Sequence, residues 1–385
     1  MQKYDYIIAG GGLAGLSLAY YMNQTILREK SILIIDQDTK SKNDRTWCFW
    51  EKNNQSPFDQ IVHRTWQKVL FHGTNFSGTL DLGDYHYKWL RGIDFYNFVK
   101  TDLAGNPNIL FVNERIERLK DTPDGGFIIT DQNQYLGEYV FDSTKPLKLD
   151  LEDSHNMLQH FKGWEIVSDK PIFDVDCPTM MDYRVEQRGV GVRFMYVLPE
   201  SSTKAMIEYT VFSDSLLSPT EYDAELHKYF KEFLKIENFT IEHEEFGVIP
   251  MTDEPISNQS GEHVVRIGTS GGYVKSSSGY AFQRTQRYTQ ELVKNLVTIG
   301  KPLHPKKTFN KKFKALLDST LLNVLLKDRA LGKDVFTALY KKNPTPRLFA
   351  FLDEDTTLVE DLKIMSTVPL WAFTKGILDA LRKRI

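Results

Sequence analysis

The segment running from Tyr4 to Asp36 constrains the fold more than any other part of the chain. An apolar run at residues 6–9 leads into Gly10-x-Gly12-x-x-Gly15, and a second run at 31–35 ends on Asp36. Leu13, Leu16, Leu18 and Ala19 recur between them at helical spacing. The order is strand, glycine turn, helix, strand, acid. Gly10 permits the tight turn, Gly12 leaves the backbone open to close approach, and Gly15 lets helix and strand pack together. The free N–H groups at the helix start, from Leu13 and Ala14 onward, then face an anion such as a pyrophosphate. Asp36, about 20 residues further on, suits a ribose 2′-hydroxyl and favours FAD or NAD over a 2′-phosphorylated ligand. A bare glycine turn also occurs without any nucleotide, but here the flanking strands, the helix and the acid all agree. Its place at the start of the sequence leans towards FAD, while the physics alone leaves NAD open.

The 385 residues suffice for a large core and two or three domains. A net charge of −3 gives no reason to expect nucleic acid as a partner. Cys48 and Cys177 stand far apart with no C-x-x-C, so neither a disulfide framework nor a metal site is expected, and a reducing cytoplasmic compartment fits. The first strand begins close to Met1, which leaves no room for a signal peptide. No apolar stretch approaches the roughly 18 residues of a membrane span, although contact with a membrane surface stays open. Aromatic residues reach 12%, which suits either a large core or a long apolar ligand.

The nucleotide half reads as discontinuous: residues 1–50, a helix at 94–103, a strand at 109–113, a hairpin at 126–130 and 135–141, and a return at 263–272. Between these lies a strand-rich segment, roughly 155–255, with neighbouring strands at 191–198 and 204–212 and a helix over 220–234. Beyond Gly300 the pattern becomes leucine-rich helix, with Phe313, Leu316, Leu317, Leu321, Val324 and Leu325 at helical spacing. This end carries Lys306, Lys307, Lys311, Lys312 and Lys314, and closes on Arg382-Lys383-Arg384 after Trp371, Phe373, Ile377 and Leu378. Such a basic amphipathic end is either a solvated face over a core stripe or a support for lying on an anionic membrane.

Several motifs point further. Thr46-Trp47-Cys48-Phe49 follows the first unit, and Arg91-Gly92-x-Asp94-Phe95-Tyr96 opens the next helix. Gln159-His160-Phe161-Lys162-Gly163-Trp164, Pro171-Ile172-Phe173-Asp174, Met180-Met181-Asp182-Tyr183-Arg184, Gln187 and Phe194-Met195-Tyr196-Val197-Leu198-Pro199 follow. Then come Ile207-Glu208-Tyr209-Thr210, Glu245-x-Gly247-x-Ile249-Pro250, Ser278-Gly279-Tyr280 and Phe351-Leu352-x-Glu354-x-Thr356. In this order the chain resembles the bacterial FAD-containing lycopene β-cyclases over essentially its whole length. The resemblance implies an α/β fold with a Rossmann-like FAD-binding domain of the flavin hydroxylase and glutathione reductase type. That domain would take residues 1–150 and 260–300, with a strand-rich substrate domain at 151–259 and a helical C-terminal region at 301–385. Flavin hydroxylases carry a Gly-Asp pair where this chain has Gly268-Thr269, a looser pattern that the cyclases share. Ser278 stands where the family has Thr. Gly268 and Gly279 carry over as flavin-binding positions, and Gly247, Pro250 and Tyr280 as shapers of the backbone around the flavin.

The activity implied is cyclisation without net redox change, closing the ψ ends of lycopene to the β-rings of β-carotene by way of γ-carotene. Reduced FAD is the implied cofactor and NADPH its reductant; lycopene and related acyclic ends are the partners, at the cytoplasmic membrane surface, with no protein partner expected. Such chemistry needs a positioned acid, a dry pocket and electron-rich surfaces. Alternation over 204–212 sets Glu208 on one face with Met206, Thr210 and Phe212, and Ala205, Ile207, Tyr209 and Val211 on the other. Glu208 is thus either a solvated strand glutamate beside Lys204 or, as the resemblance favours, the acid or cation stabiliser. The proton donor is Glu208 or the reduced flavin. Trp47, Trp50, Trp164, Tyr183 and Tyr196 are candidates for cation–π contact, with packing the simpler account of each. Glu245 reads as a second acid/base or, preferably, the ion-pair partner of an arginine such as Arg184; Glu354 rests on the resemblance alone. A flavin monooxygenase, a prenyl-lipid reductase and a carotenoid carrier remain as alternatives.

Overall fold

The computed structural model describes residues 2–52, 56–147, 149, 152–304 and 308–382. Lys306, Lys307, Lys383 and Arg384 therefore lie outside the described residues. Strand β1 (Gln2–Ala9), helix α1 (Leu13–Asn23) and strand β2 (Ile32–Asp36) form the expected parallel unit, with Tyr6 opposite Ile32 and Ala9 opposite Ile35. Their buried stretches, 6–9 and 32–35, are continuous apolar runs because both faces of this parallel sheet are covered there.

The chain then leaves that sheet. β3 (Thr46–Lys52), β4 (Arg64–Trp66) and β7 (Tyr85–Arg91) make a small antiparallel sheet, while β5 (Lys68–Gly73) and β6 (Phe76–Asp81) form a hairpin between them. The hairpin does not join the nucleotide half, in which the span 1–150 had placed it. β5 pairs instead with a strand of the second large sheet, where Val69 and Phe71 become part of a core shared with the C-terminal helices.

Helix α2 (Gly92–Ala104) brings the chain back to β8 (Ile109–Asn113), which lies parallel to β2. β9 (Ile116–Thr122), β10 (Gly125–Thr130) and β11 (Gln134–Asp142) follow as a meander, and β11 runs parallel to β1. The first sheet thus has the order β8-β2-β1-β11-β10-β9.

The second sheet is built from β12 (Asn156–Ser168), β13 (Thr179–Asp182), β14 (Val192–Pro199) and β15 (Lys204–Ser213). After helix α3 (Pro219–Tyr229) it is completed by β16 (Phe239–Thr252). Its order is β16-β12-β15-β14-β13-β5-β6. The expected helix over 220–234 ends its regular part at Tyr229 and finishes in a wider π-type turn, Phe230–Leu234. Tyr222, Leu226, Tyr229 and Phe230 pack on Ile207, Tyr209 and Val211, so this face of β15 is a dry core.

β17 (Val264–Arg266) then returns to pair with β11, and α4 (Phe282–Ile299) packs beside α1. The helices α5 (Phe309–Leu326), α6 (Gly332–Lys342), α7 (Thr345–Leu352), α8 (Leu358–Met365) and α9 (Leu370–Arg382) complete the described chain. α9 lies along α5, where a side chain at Gly376 would meet Thr320 and Val324 at 3.1–3.2 Å. Among the described residues, no helix is long and apolar enough to cross a membrane.

Candidate active site

A cavity of about 470 Å³ runs from the start of α1 to the inner face of the second sheet. Gly12, Leu13, Ala14, Gly268, Gly279 and Glu208 all line it, so sequence positions nearly 270 residues apart meet at one site. Three expected residues stand just behind the wall. Gly10 has φ +99°, and a Cβ there would strike Ser143 Oγ at 2.2 Å. At Gly15 a Cβ would lie 2.0 Å from the Gly10 carbonyl oxygen, which is the close helix–strand approach that the motif requires. Asp36 accepts from the Gly11 N–H at 2.6 Å and the Asp38 N–H at 2.8 Å, tying the turn to the end of β2.

Gly12 is the N-cap of α1, has open space around the position of a Cβ, and offers no side-chain cap. The leading N–H groups of α1 therefore point at the cavity without a competing side chain. A Cβ at Gly268, at φ +64°, would lie 3.1 Å from Ala14 Cβ, and Gly279, at φ +72°, would collide with Gln159 if it bore a side chain. Gln159 Oε1, Tyr273 Oη and Ser278 Oγ are buried around this space without a hydrogen-bond partner among the described residues. A cradle of glycines at a helix N-terminus, with such polar atoms beside it, fits a dinucleotide such as FAD.

At the other end, register on the second sheet sets the chemistry. Gly163 on β12 pairs with Glu208 of β15 on one side and Glu245 of β16 on the other, and Glu208 pairs in turn with Tyr196 of β14. Directly paired residues point to the same face, so Glu245, Gly163, Glu208 and Tyr196 form one row facing the cavity. Part of Glu208's surface is reached through the cavity, yet protein surrounds its carboxyl on every side, and the second fact governs its acidity. Burial pushes that carboxyl up to about 8; the Thr210 hydroxyl, donating at 2.5 Å, opposes the rise, and the nearby charge of Glu245 adds to it.

Glu245 is also raised by burial, but the Thr46 backbone N–H donates to its Oε1 at 3.0 Å and Arg45 lies near enough to favour its charged form. It is not the partner of Arg184. That arginine binds Asp182, two residues away, through Nε at 2.9 Å. Phe161 lies across Gly247, where a Cβ would sit 2.3 Å from the ring. Tyr196 and Tyr280 approach hydroxyl to hydroxyl at 3.3 Å, and burial raises both phenols, Tyr280 to about 12.

Of the aromatic candidates, Trp47 and Tyr196 line the cavity. Trp164 lies on the opposite face of β12, in the core beneath α3, because it neighbours Gly163 in sequence. Trp50 stacks on Phe349 at 4.4 Å, and Tyr183 stacks on Phe336, both within the core. Glu354 faces a second, larger cavity of about 670 Å³ that shares Pro250, Thr269 and Val274 with the first. Burial alone would raise Glu354, but Lys275 at 3.1 Å and Arg284 at 2.6 Å hold it at about 2. It is a fixed charge and not a proton donor. Arg45 and Ser143 are wall residues outside those motifs; only the pairing of distant strands shows them.

The sequence profile of the family described as Lycopene cyclase protein matches residues 5–377. The chain belongs to the lycopene cyclase family. No curated protein sequence matches this member of the family. Its fold is that of several flavoenzymes. A geranylgeranyl bacteriochlorophyll reductase-like protein from Thermoplasma acidophilum superposes with a TM-score of 0.65 at 11% identity, covering 99% of this chain and 100% of its own. A flavoprotein/dehydrogenase from Cytophaga hutchinsonii gives 0.64 at 12% identity, with 98% and 99% covered. The p-nitrophenol 4-monooxygenase PnpA from Pseudomonas putida gives 0.53 at 11% identity, with 98% of each chain covered. At such identities the likeness concerns the fold, an FAD-dependent hydroxylase- and reductase-like α/β architecture with C-terminal helices.

Proposed function

We propose that this member of the lycopene cyclase family is a lycopene β-cyclase, an enzyme that closes ψ ends to β-rings with no net change of oxidation state. The observation that carries this reading is the Glu208 carboxyl, held largely protonated near neutral pH, in the same cavity as the glycine turn of α1. Glu208 delivers its proton to C2 of the substrate end, leaving a tertiary cation at C1. The C5–C6 alkene closes onto that cation, and loss of the C6 proton leaves the ring alkene. Tyr196 and Trp47 face the same space and offer π surfaces worth about 0.5–2 kcal/mol each to a cation.

In this reading the N–H groups of Leu13 and Ala14, beside Gly12, would hold the pyrophosphate of FAD, with Gly268 and Gly279 as further binding positions. Gly10 and Gly15 hold the turn, and Asp36 would serve the ribose. When bound in reduced form, the flavin would supply negative charge beside the cation in a weakly screened site. NADPH is the proposed reductant. The spans 1–150 with 260–300, 151–259 and 301–385 divide cofactor binding, substrate binding and the helical closure, with the hairpin at 68–81 lent to the substrate sheet.

The water-insoluble substrate favours work at the cytoplasmic membrane surface. The outward face of α9 supports this: Trp371 is 67% exposed and Leu378 51%, with Lys375 and Arg382 on the same side. Ala380 of that helix also lines the larger cavity.

The test is expression in cells that accumulate lycopene, followed by pigment analysis. A bicyclic isomer of unchanged mass is expected. A gain of oxygen or of hydrogen would instead indicate a monooxygenase or a reductase, and bound but unaltered lycopene a carrier.

A further inference from the structure

Ring closure by proton addition at C2 leaves a second proton to be removed, and the sheet register supplies a separate group for it. Glu208 and Glu245 are not neighbours; they stand on β15 and β16 with β12 between them. Two strand spacings put their backbones about 10 Å apart. The residue between them is Gly163, paired to both, and it adds no side chain of its own to the row. A Cβ at Gly163 would sit 3.5 Å from Glu208 Cβ and 3.0 Å from Met206 Sδ, so the glycine lets the Glu208 stem and Met206 pack close over β12.

The two carboxyls are also solvated differently. Glu208 has a single hydroxyl donor, Thr210. Glu245 accepts from the fixed backbone N–H of Thr46, with Arg45 adjoining, and both oppose the upward push of its burial. Two carboxyls facing one cavity in unlike surroundings divide into an acid and a base.

We propose that Glu245 is the base that accepts the C6 proton, with the closing ring held in the cavity that Glu208 and Glu245 both line. The inference rests on the β-cyclase reading. In the balanced step, the Glu208 O–H proton goes to C2 and the C1–C2 π pair forms that C–H bond. The C5–C6 π pair then makes the C1–C6 bond and moves the positive charge to C5. The C6–H pair becomes the C5–C6 alkene as the proton passes to a Glu245 oxygen. One proton enters the substrate and one leaves it, and its return from Glu245 to Glu208 resets the site.

The position of the base also selects the product. The same C5 cation loses a proton from C4 to give an isomeric ring with the alkene at C4–C5. A base fixed on the C6 side suppresses that outcome.

The experiment compares the parent protein, Glu245→Gln and Glu245→Asp, each loaded with chemically reduced FAD, with lycopene in liposomes, reading ring type by chromatography and mass. The parent serves as the control for the underlying reading: if it forms no rings, that reading fails, whereas rings from the parent leave the role of Glu245 to the variants. We expect Glu245→Gln to lower β-ring formation by about 10²-fold or more, with flavin absorbance retained. We expect Glu245→Asp, whose carboxylate is withdrawn by one methylene, to recover part of the rate while raising the share of C4–C5 product. β-ring formation by Glu245→Gln within twofold of the parent overturns the proposal. Should Glu245→Gln fail to fold, an unaltered product ratio in Glu245→Asp overturns it and a raised C4–C5 share supports it.

Discussion

Thr210 Oγ1 donates a hydrogen bond to Glu208 Oε1 at 2.5 Å, from two positions further along the same strand face. A hydroxyl so placed favours the ionised carboxylate. Thr210→Val therefore raises the Glu208 pKa further, and the alkaline limb of the pH–rate profile should move above the parent's, which we expect near pH 8. Activity requires the protonated form, so it declines as pH rises through that limb. Glu208→Gln should retain flavin and lose ring formation. Normal rings from that variant would remove Glu208 from the reaction.

The same carboxyl makes stability depend on pH. Its folded value of about 8 lies above its ordinary 4.5, so between those values the folded chain holds a proton that the unfolded chain has released. The slope of unfolding free energy with pH is then negative, and this contribution is lost from about pH 4.5 up to about 8. Denaturant titrations of the parent and Glu208→Gln across that window should diverge, with the parent showing the steeper decline.

Gly12 and Gly15 should behave differently when each is changed to Ala. At Gly15 the methyl group would collide with the Gly10 carbonyl and with Ile8 at 2.9 Å, so we expect a lower melting temperature as well as lost flavin. At Gly12 it would meet nothing within 4 Å, so the fold should keep its melting temperature while flavin retention falls. Equal flavin content in Gly12→Ala and the parent would count against an anion at the start of α1.

Glu354→Gln removes the carboxylate that Lys275 and Arg284 share in a largely buried cluster, while Lys275 keeps Asp318. The expected cost is about 3 kcal/mol of stability in denaturant titration, with turnover per folded molecule preserved. Lost turnover at unchanged stability would restore Glu354 to the chemistry.

On α9, Lys375 lies over the Trp371 ring at 3.8 Å, joining a cation to an exposed aromatic. Trp371→Glu combined with Leu378→Glu should abolish flotation with vesicles containing anionic lipid. The parent's binding should weaken as salt rises. Flotation unaffected by the double change would place the membrane contact elsewhere.

How much of this the sequence discloses depends on the reach of each signal. The turn at Gly10–Gly15 and the face bearing Glu208 follow from periodicity within a dozen residues, and both are legible. The row Glu245, Gly163, Glu208, Tyr196 is not, because it depends on pairing among strands up to 82 positions apart. The hairpin at 68–81 crosses to the second sheet for a similar reason: its apolar residues alternate alike whichever core receives them. Arg184 misled because its partner, Asp182, lies on a buried strand end two residues away, while Glu245, the partner expected, belongs to the cavity wall.

β12 carries Gly163 towards the cavity and Trp164 into the layer under α3. Sliding β15 by one residue would turn Glu208 into that layer and Ile207 out of it. The alignment of the reactive carboxyl is thus enforced from behind, by Tyr222, Leu226 and Phe230, none of which lines the cavity. Loosening that hidden layer would blur the aim of the acid, making the side of the sheet furthest from the reaction a guardian of its fidelity.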